Sequence, residues 1–196
     1  MLYKIPPKEP FEKAPCAYWD NFLTPDDINL LLAQPEWCKL SEAQVGDSVL
    51  HVNSEVRRSN IAWLYPKPEI QIVVEKFANA ASEVNNRYFG FDLDGVYEPF
   101  QLGVYDAAVE GHYNWHIDSI KTIAPRKLSM VVLLSDPSEF SGGELQVKTD
   151  SDQAVDLEMI KGRAWFFPSY TLHRVTPVTR GIRRSLVSWI SGKPFR

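Results

Sequence analysis

Cysteine is nearly absent from this chain: among 196 residues there are only Cys16 and Cys38, neither in a CxxC pair nor close in sequence to a histidine. That leaves no disulfide framework and no paired-cysteine metal site, and reduced thiols are the expected state, although spacing alone leaves a single bridge open. No run approaches the roughly 18 uninterrupted apolar residues of a membrane helix. The N-terminal MLYKIPPKEP carries prolines where a signal peptide needs its apolar stretch, so a cytoplasmic protein without a membrane partner is expected. Basic charge is not in excess either. Twenty-one Lys plus Arg against 25 Asp plus Glu give a formal charge of −4, which provides no global positive field for nucleic acid. Repeats, low-complexity tracts and Gly/Ser-rich linkers are missing, and the 14 prolines are scattered along the whole length. One domain over residues 1–196 is the economical expectation, with helices and edge strands in 1–98 and a core in 99–192.

What is present supports a sizeable core, since 44% of the residues are hydrophobic and 23% charged. A helix is expected from Thr24, where a hydroxyl cap, Pro25 in the first turn and the acids Asp26 and Asp27 precede Ile28, Leu31 and Leu32. A longer one is expected from Glu69 to about Tyr88, with Ile70, Val73, Val74, Phe77, Ala81 and Val84 at helical steps and Gly90 closing it. Beyond residue 90 the pattern shortens to runs of Val, Ile, Tyr, Trp and Phe between turn signals. These predict strands near 99–105, 113–118, 126–134, 144–149, 154–158, 163–167, 173–176 and 184–190, hence a sandwich or barrel. The runs Val45 to Val52 and Arg57 to Leu64 are expected to add strands to one edge of the same sheet, with the helices outside it.

Chemistry concentrates in three segments. His116 and Asp118 stand two apart in HYNWHIDS, and strand alternation turns both to one face with Ile117 away from it. His173 begins another short strand in WFFPSYTLHRVTP. Two imidazoles and a carboxylate are the donor set of the facial triad that holds non-haem Fe(II) with positions left open. Ten residues after His173, Arg183 opens a strand in which Arg183, Ser185, Val187 and Trp189 share a face, while Arg184 points to the other side. A guanidinium on that face offers a planar fork for a carboxylate.

In this order of elements (Tyr105, GHYNWHID, RKLSMVVLLSD, SGGEL, GRAWFFPS, His173, Arg183, Trp189) the chain resembles the 2-oxoglutarate and Fe(II) dependent dioxygenases, within them the prolyl 4-hydroxylase-like branch, over roughly residues 56–192. The resemblance implies a mainly β fold with supporting helices, a double-stranded β-helix or jelly-roll barrel. It implies His116, Asp118 and His173 as iron ligands, Arg183 as the partner of the distal carboxylate of 2-oxoglutarate, and Tyr105 as a hydroxyl donor to the same group. Tyr113 matches an aromatic at the active-site mouth, Trp189 one that closes the pocket, and Arg58 in VRRSNIAWL a substrate contact. Three departures stand out. Arg183 replaces the lysine of collagen-type enzymes, Leu133 stands where some relatives have a second tyrosine, and YDAAVEG lacks the usual Pro-Gly after its tyrosine.

The implied activity is hydroxylation of an unactivated carbon with Fe(II), 2-oxoglutarate and dioxygen, ascorbate serving as reductant, and with succinate and CO2 released. A prolyl residue of a peptide or protein is the implied substrate; a free amino acid or other small molecule is the alternative within that chemistry. Two other classes stay open at this point: a zinc hydrolase using the same three ligands, which gives Arg183 no task, and a jelly-roll binding module that keeps a metal for stability. His51 and His112 are expected at the surface or in packing, and Gly142–Gly143 in a hairpin turn.

Overall fold

The computed structural model describes residues 14–46, 51–118, 125–149 and 152–194. The first helix, α1, is Pro25–Leu32, and its start is a reciprocal cap. Thr24 Oγ1 accepts from the Asp27 backbone N–H at 3.2 Å, while the Asp27 carboxylate accepts from the Thr24 N–H at 2.8 Å. The long helix expected from Glu69 to Tyr88 is present in three parts: a 3-10 turn Pro68–Ile70, the α-helix Gln71–Val84 (α2), and a π-helical turn Asn85–Phe89 ended by Gly90 at φ 65°. Asn85 explains the widened end. Its side-chain amide donates to Phe91 O and accepts from Phe91 N–H, both at 2.9 Å, and its carbonyl takes the Gly90 N–H at 2.7 Å. Lys76 on α2 reaches Asp27 at 2.5 Å and ties the two helices together.

Two antiparallel sheets face each other. The larger runs in the order Ala17–Trp19, Ala164–Pro168, Arg126–Leu133, Ile182–Gly192, Phe100–Asp106, Asn60–Leu64, Ser41–Glu42, with Leu93–Gly95 also paired to Ile182–Gly192. The smaller runs Val155–Leu157, Leu145–Lys148, Leu172–Val175, His112–His116, Arg57–Arg58. This is the jelly-roll arrangement the sequence resemblance implied, and the predicted strands lie close to their expected places.

Period-two alternation sorts each central strand of the larger sheet into an outward and an inward row. Leu102, Leu128, Met130, Val132, Phe166, Leu186 and Ile190 face the helices, forming one apolar cluster with Leu31, Val73, Phe77 and Val84. Tyr105, Val131, Leu133, Trp165 and Phe167 face the smaller sheet, where they meet Leu145, Val147 and Val175. The helices thus press the larger sheet from outside and leave its inner face to build a site.

One expectation needs correction, and another falls partly outside the described residues. Of the run Val45 to Val52, Val45 and His51 form an isolated bridge, and residues 47–50 lie outside the described part. The run Arg57 to Leu64 does not lie on one edge of one sheet. Arg57–Arg58 pairs with His112–His116 in the smaller sheet, whereas Asn60–Leu64 pairs with Phe100–Asp106 in the larger. The break falls at Ser59, whose carbonyl accepts from Ala43 N–H and whose hydroxyl accepts from Arg57 Nε, so it belongs to neither ladder. Cys16 and Cys38 are both free thiols, and burial pushes Cys16 up to about 12.

Candidate active site

A cavity of about 580 Å³ opens between the sheets. His116 ends its strand and His173 lies directly across from it on the neighbouring one, so pairing alone brings the two rings together, their centroids 4.1 Å apart. Asp118 follows just past the strand end. Its backbone N–H donates to Ser169 O at 2.8 Å, which turns the carboxylate in, while Ile117 stays half exposed. Asp118 Oδ1 is 3.7 Å from His116 Nε2, and Oδ2 is 3.5 Å from His173 Nε2. The ligand atoms of all three residues lie within 4.8 Å of one another.

Both imidazoles are oriented the same way. Nδ1 of His116 lies 2.8 Å from Asn114 O, and Nδ1 of His173 lies 2.8 Å from Thr171 O. With Nδ1–H donating to a carbonyl, each Nε2 keeps its lone pair for a metal. Burial, together with the nearby His173, pushes His116 down to about 3 and favours the neutral ring. For Asp118 burial works upward, but His173 and His116 outweigh it and hold the carboxyl at about 2. The Trp189 indole N–H also favours the charged form, without meeting hydrogen-bond geometry. Ser129 donates to Asp118 Oδ2 at 2.7 Å and is itself 3.0 Å from Ser169 Oγ. The donor set therefore suits a divalent cation such as Fe(II) in type, number and protonation.

Arg183, Ser185, Val187 and Trp189 all line this cavity, as their alternation implied. Arg183 is 1% exposed, and its Nε and Nη2 have no hydrogen-bond partner among the described residues. Neither Glu144 nor Asp136 forms an ion pair with it. Its guanidinium carbon stands 5.3 Å from the ring centre of Tyr105, a cross-strand neighbour that is also buried and on the cavity wall. A buried cation with sealed, unsatisfied N–H groups is costly on its own and fits an incoming carboxylate. Gly143 makes the space for it: a Cβ there would stand 2.8 Å from Arg183 Cδ and 2.8 Å from Val178 Cγ2. Leu133 is fully buried in the inner apolar cluster, so that position supplies no hydroxyl. The YDAAVEG segment turns through a short 3-10 helix, Ala107–Val109, and returns at Gly111, where a Cβ would meet Asp106 N at 2.6 Å.

Tyr113 stacks flat on His116, centroids 3.4 Å apart at 14°, and burial pushes its phenol up to about 12. Trp189 is covered by Arg126, whose guanidinium carbon lies 3.7 Å over the ring while its nitrogens grip Glu98. Trp63 stands beside Trp189 at 6.2 Å. Arg58 is not on the cavity wall. It is 39% exposed in its side chain, donates to Val109 O at 3.0 Å and pairs with Glu110 at 3.6 Å. Alternation sends one of the two arginines to each face, and Arg57 takes the inner one. Sequence reasoning missed Arg57, Ser129, Ser169, Gln101 and Trp63 as parts of the site. For Ser129 a signal existed: within the strand Arg126–Leu133 it is the one hydroxyl, on the inward row shared with Val131 and Leu133.

Comparison with known proteins agrees with this geometry. Residues 100–191 match the 2OG-Fe(II) oxygenase superfamily. That stretch, 92 of the 196 residues, is similar to the superfamily and holds His116, Asp118, His173 and Arg183. A PKHD-type hydroxylase of Teredinibacter turnerae is 42% identical over 87 residues, 41% of this chain and 38% of that protein. A PKHD-type hydroxylase of Synechococcus sp. is 30% identical over 128 residues, 65% of this chain and 57% of that protein. The matches thus span about half of these two relatives or less. A prolyl hydroxylase from Trichoplax adhaerens, solved in complex with a hypoxia inducible factor oxygen degradation domain peptide fragment, shares the fold with a TM-score of 0.76 at 19% identity, covering 90% of this chain and 83% of that one. Among the described residues no helix is long and apolar enough to cross a membrane.

Proposed function

We propose that the protein is an Fe(II) and 2-oxoglutarate dependent hydroxylase acting on a prolyl residue of a peptide or protein. The observation that carries the reading is the pairing, in one cavity, of a His116–Asp118–His173 donor set with a buried guanidinium whose Nε and Nη2 have no hydrogen-bond partner among the described residues. A hydrolytic site needs only the first of these; a diacid co-substrate needs both.

His116, Asp118 and His173 would hold the metal through two Nε2 atoms and a carboxylate oxygen, with Ser129 fixing the carboxylate's rotation. Arg183 would bind the far carboxylate of 2-oxoglutarate, with Tyr105 beside it as hydroxyl donor. Bound together there, Fe(II), 2-oxoglutarate and dioxygen supply the oxidising chemistry, in which the co-substrate loses CO2 to give succinate and one oxygen atom passes to a substrate carbon. Tyr113 and Trp189 flank the ligands and exclude bulk water from that step. Trp63 and Ile117, both exposed and on the cavity wall, would offer an extended chain an apolar rim. The prolyl assignment draws on the names of the PKHD-type relatives and of the Trichoplax enzyme.

Anaerobic loading with Fe(II) and 2-oxoglutarate, followed by oxygen and a panel of proline-containing peptides, tests the proposal. Succinate formation together with a single added oxygen on proline is expected. Absence of succinate under every condition would remove the hydroxylase reading. Oxygen found only on a free amino acid or other small molecule would remove the peptide.

A further inference from the structure

We propose that Arg57 is a second anion anchor of the cavity and that it binds a carboxylate of the primary substrate, an inference that rests on the hydroxylase reading above. Arg57 is 7% exposed, and its fixed partners are all neutral. Nε donates to Ser59 Oγ at 2.8 Å, Nη2 donates to Gln101 Oε1 at 2.9 Å, and the guanidinium carbon lies 4.4 Å over the Tyr113 ring. Nη1 makes no hydrogen bond among the described residues. The acids on the same wall do not neutralise it: Glu98 is held by Arg126, Asp118 belongs to the ligand set, and Glu42 is out of ion-pair range of it on the exposed rim. A guanidinium this buried, held by neutral groups and without a counter-charge among the described residues, favours an anion as its further partner. Its planar fork suits a carboxylate.

Position separates this demand from that of Arg183. Along the strand Phe100–Asp106, Tyr105 is the neighbour of Arg183 and Gln101 is the partner of Arg57. Those two positions share the inward row four residues apart, a rise of about 13 Å. A five-carbon diacid gripped by Arg183 and chelated at the ligand set does not reach that far. Arg57 instead stands over the outer face of Tyr113, whose inner face covers His116, so it sits where a substrate passes the ligand set on the way in. The carboxylate has two sources in a peptide: an Asp or Glu side chain beside the target residue, or a C-terminal carboxylate.

Binding of labelled peptides to protein loaded with Mn(II) and 2-oxoglutarate under anaerobic conditions tests this without turnover. Matched sets would compare Asp or Glu next to proline with Asn or Gln, and a C-terminal acid with its amide. The carboxylate member of at least one set is expected to bind about ten- to a hundred-fold tighter, and the set that responds identifies the source. In Arg57→Gln this discrimination should fall below about threefold, whereas Arg58→Ala, outside the cavity, should retain it. Equal binding of acids and their neutral counterparts by the unaltered protein would overturn the inference, and that comparison decides even if the Arg57 variant fails to fold. So would an Arg57→Gln variant whose requirement for 2-oxoglutarate rises while its peptide preference persists. Carboxylate-selective binding without succinate formation in oxygen would sink the hydroxylase reading and leave the anchor standing; turnover without carboxylate selectivity would do the reverse.

Discussion

Replacing Arg183 by methionine should strengthen the empty protein and disable the loaded one. In the structure this guanidinium is buried, its Nε and Nη2 lack hydrogen-bond partners among the described residues, and burial pushes its pKa down despite Tyr105 and Glu144 nearby. Each unsatisfied buried donor costs about 1–3 kcal/mol. Exchanging a buried charge for an apolar side chain of similar volume is typically neutral or stabilising by about 1–4 kcal/mol. For a chain of this size roughly 1 kcal/mol moves the melting temperature by about 2–4 °C. Arg183→Met with Mn(II) and no co-substrate is therefore expected to melt at or above the parent, by up to about 16 °C. Adding 2-oxoglutarate at a hundred times its dissociation constant should stabilise the parent by about 2.7 kcal/mol and the variant hardly at all. Differential scanning fluorimetry with a 2-oxoglutarate titration reads both effects. A variant that melts well below the parent without co-substrate would mean that Arg183 is a structural ion-pair partner. A variant that keeps the 2-oxoglutarate response would remove Arg183 from the co-substrate site.

Three other perturbations are diagnostic. Ser129→Ala removes the donor to Asp118 Oδ2 and should weaken Mn(II) affinity by about 10–100-fold, read by electron paramagnetic resonance titration; unchanged affinity would show that the carboxylate needs no such support. Gly143→Ala places a methyl against Arg183 and forces a side chain into φ 69°, which should cost about 1–3 kcal/mol and raise the half-saturating 2-oxoglutarate concentration, whereas a loss of stability alone would separate the glycine from the cavity. The Asp27 carboxyl is nearly buried; burial raises its pKa, but the hydrogen bonds from Lys76 and Thr24 win and leave it lowered. A depressed folded-state pKa contributes stability above the unfolded value, and that contribution disappears as pH falls through the folded one. Asp27→Asn should thus cost about 1–2 kcal/mol near neutrality and nothing once the pH is below the folded value; urea titrations across pH 2–7 that show a constant difference would contradict the sign.

Local signals were legible in the sequence wherever one segment carried its own evidence. Thr24-Pro25-Asp26-Asp27 announced its helix because a cap is satisfied within four residues, and the inward row from Arg183 to Trp189 followed from alternation alone. The choice between Arg57 and Arg58 was not legible, since it depends on which sheet claims the pair, and the chain changes sheets at Ser59. The support of Asp118 by Ser129 joins residues brought together only when the sandwich closes. Gly142–Gly143 looked like a simple hairpin turn, and nothing local reveals that Gly143 is small because the Arg183 side chain lies on it. Likewise the π turn at Asn85–Phe89 comes from hydrogen bonds to Phe91, beyond the reach of apolar periodicity.

The division of the site between the sheets has a bearing on how the protein breathes. His116 and His173 belong to the smaller sheet and Arg183 and Tyr105 to the larger, while Asp118 is hydrogen-bonded to Ser129 of the larger. A metal with a chelating diacid would then act as a rivet through both layers. Amide hydrogens of His112–His116 and Leu172–Val175 should exchange more slowly on loading with both components than with metal alone, and those of the helix α2 should change little. Occupancy of the site would thereby set the rate at which the sandwich opens to proteases.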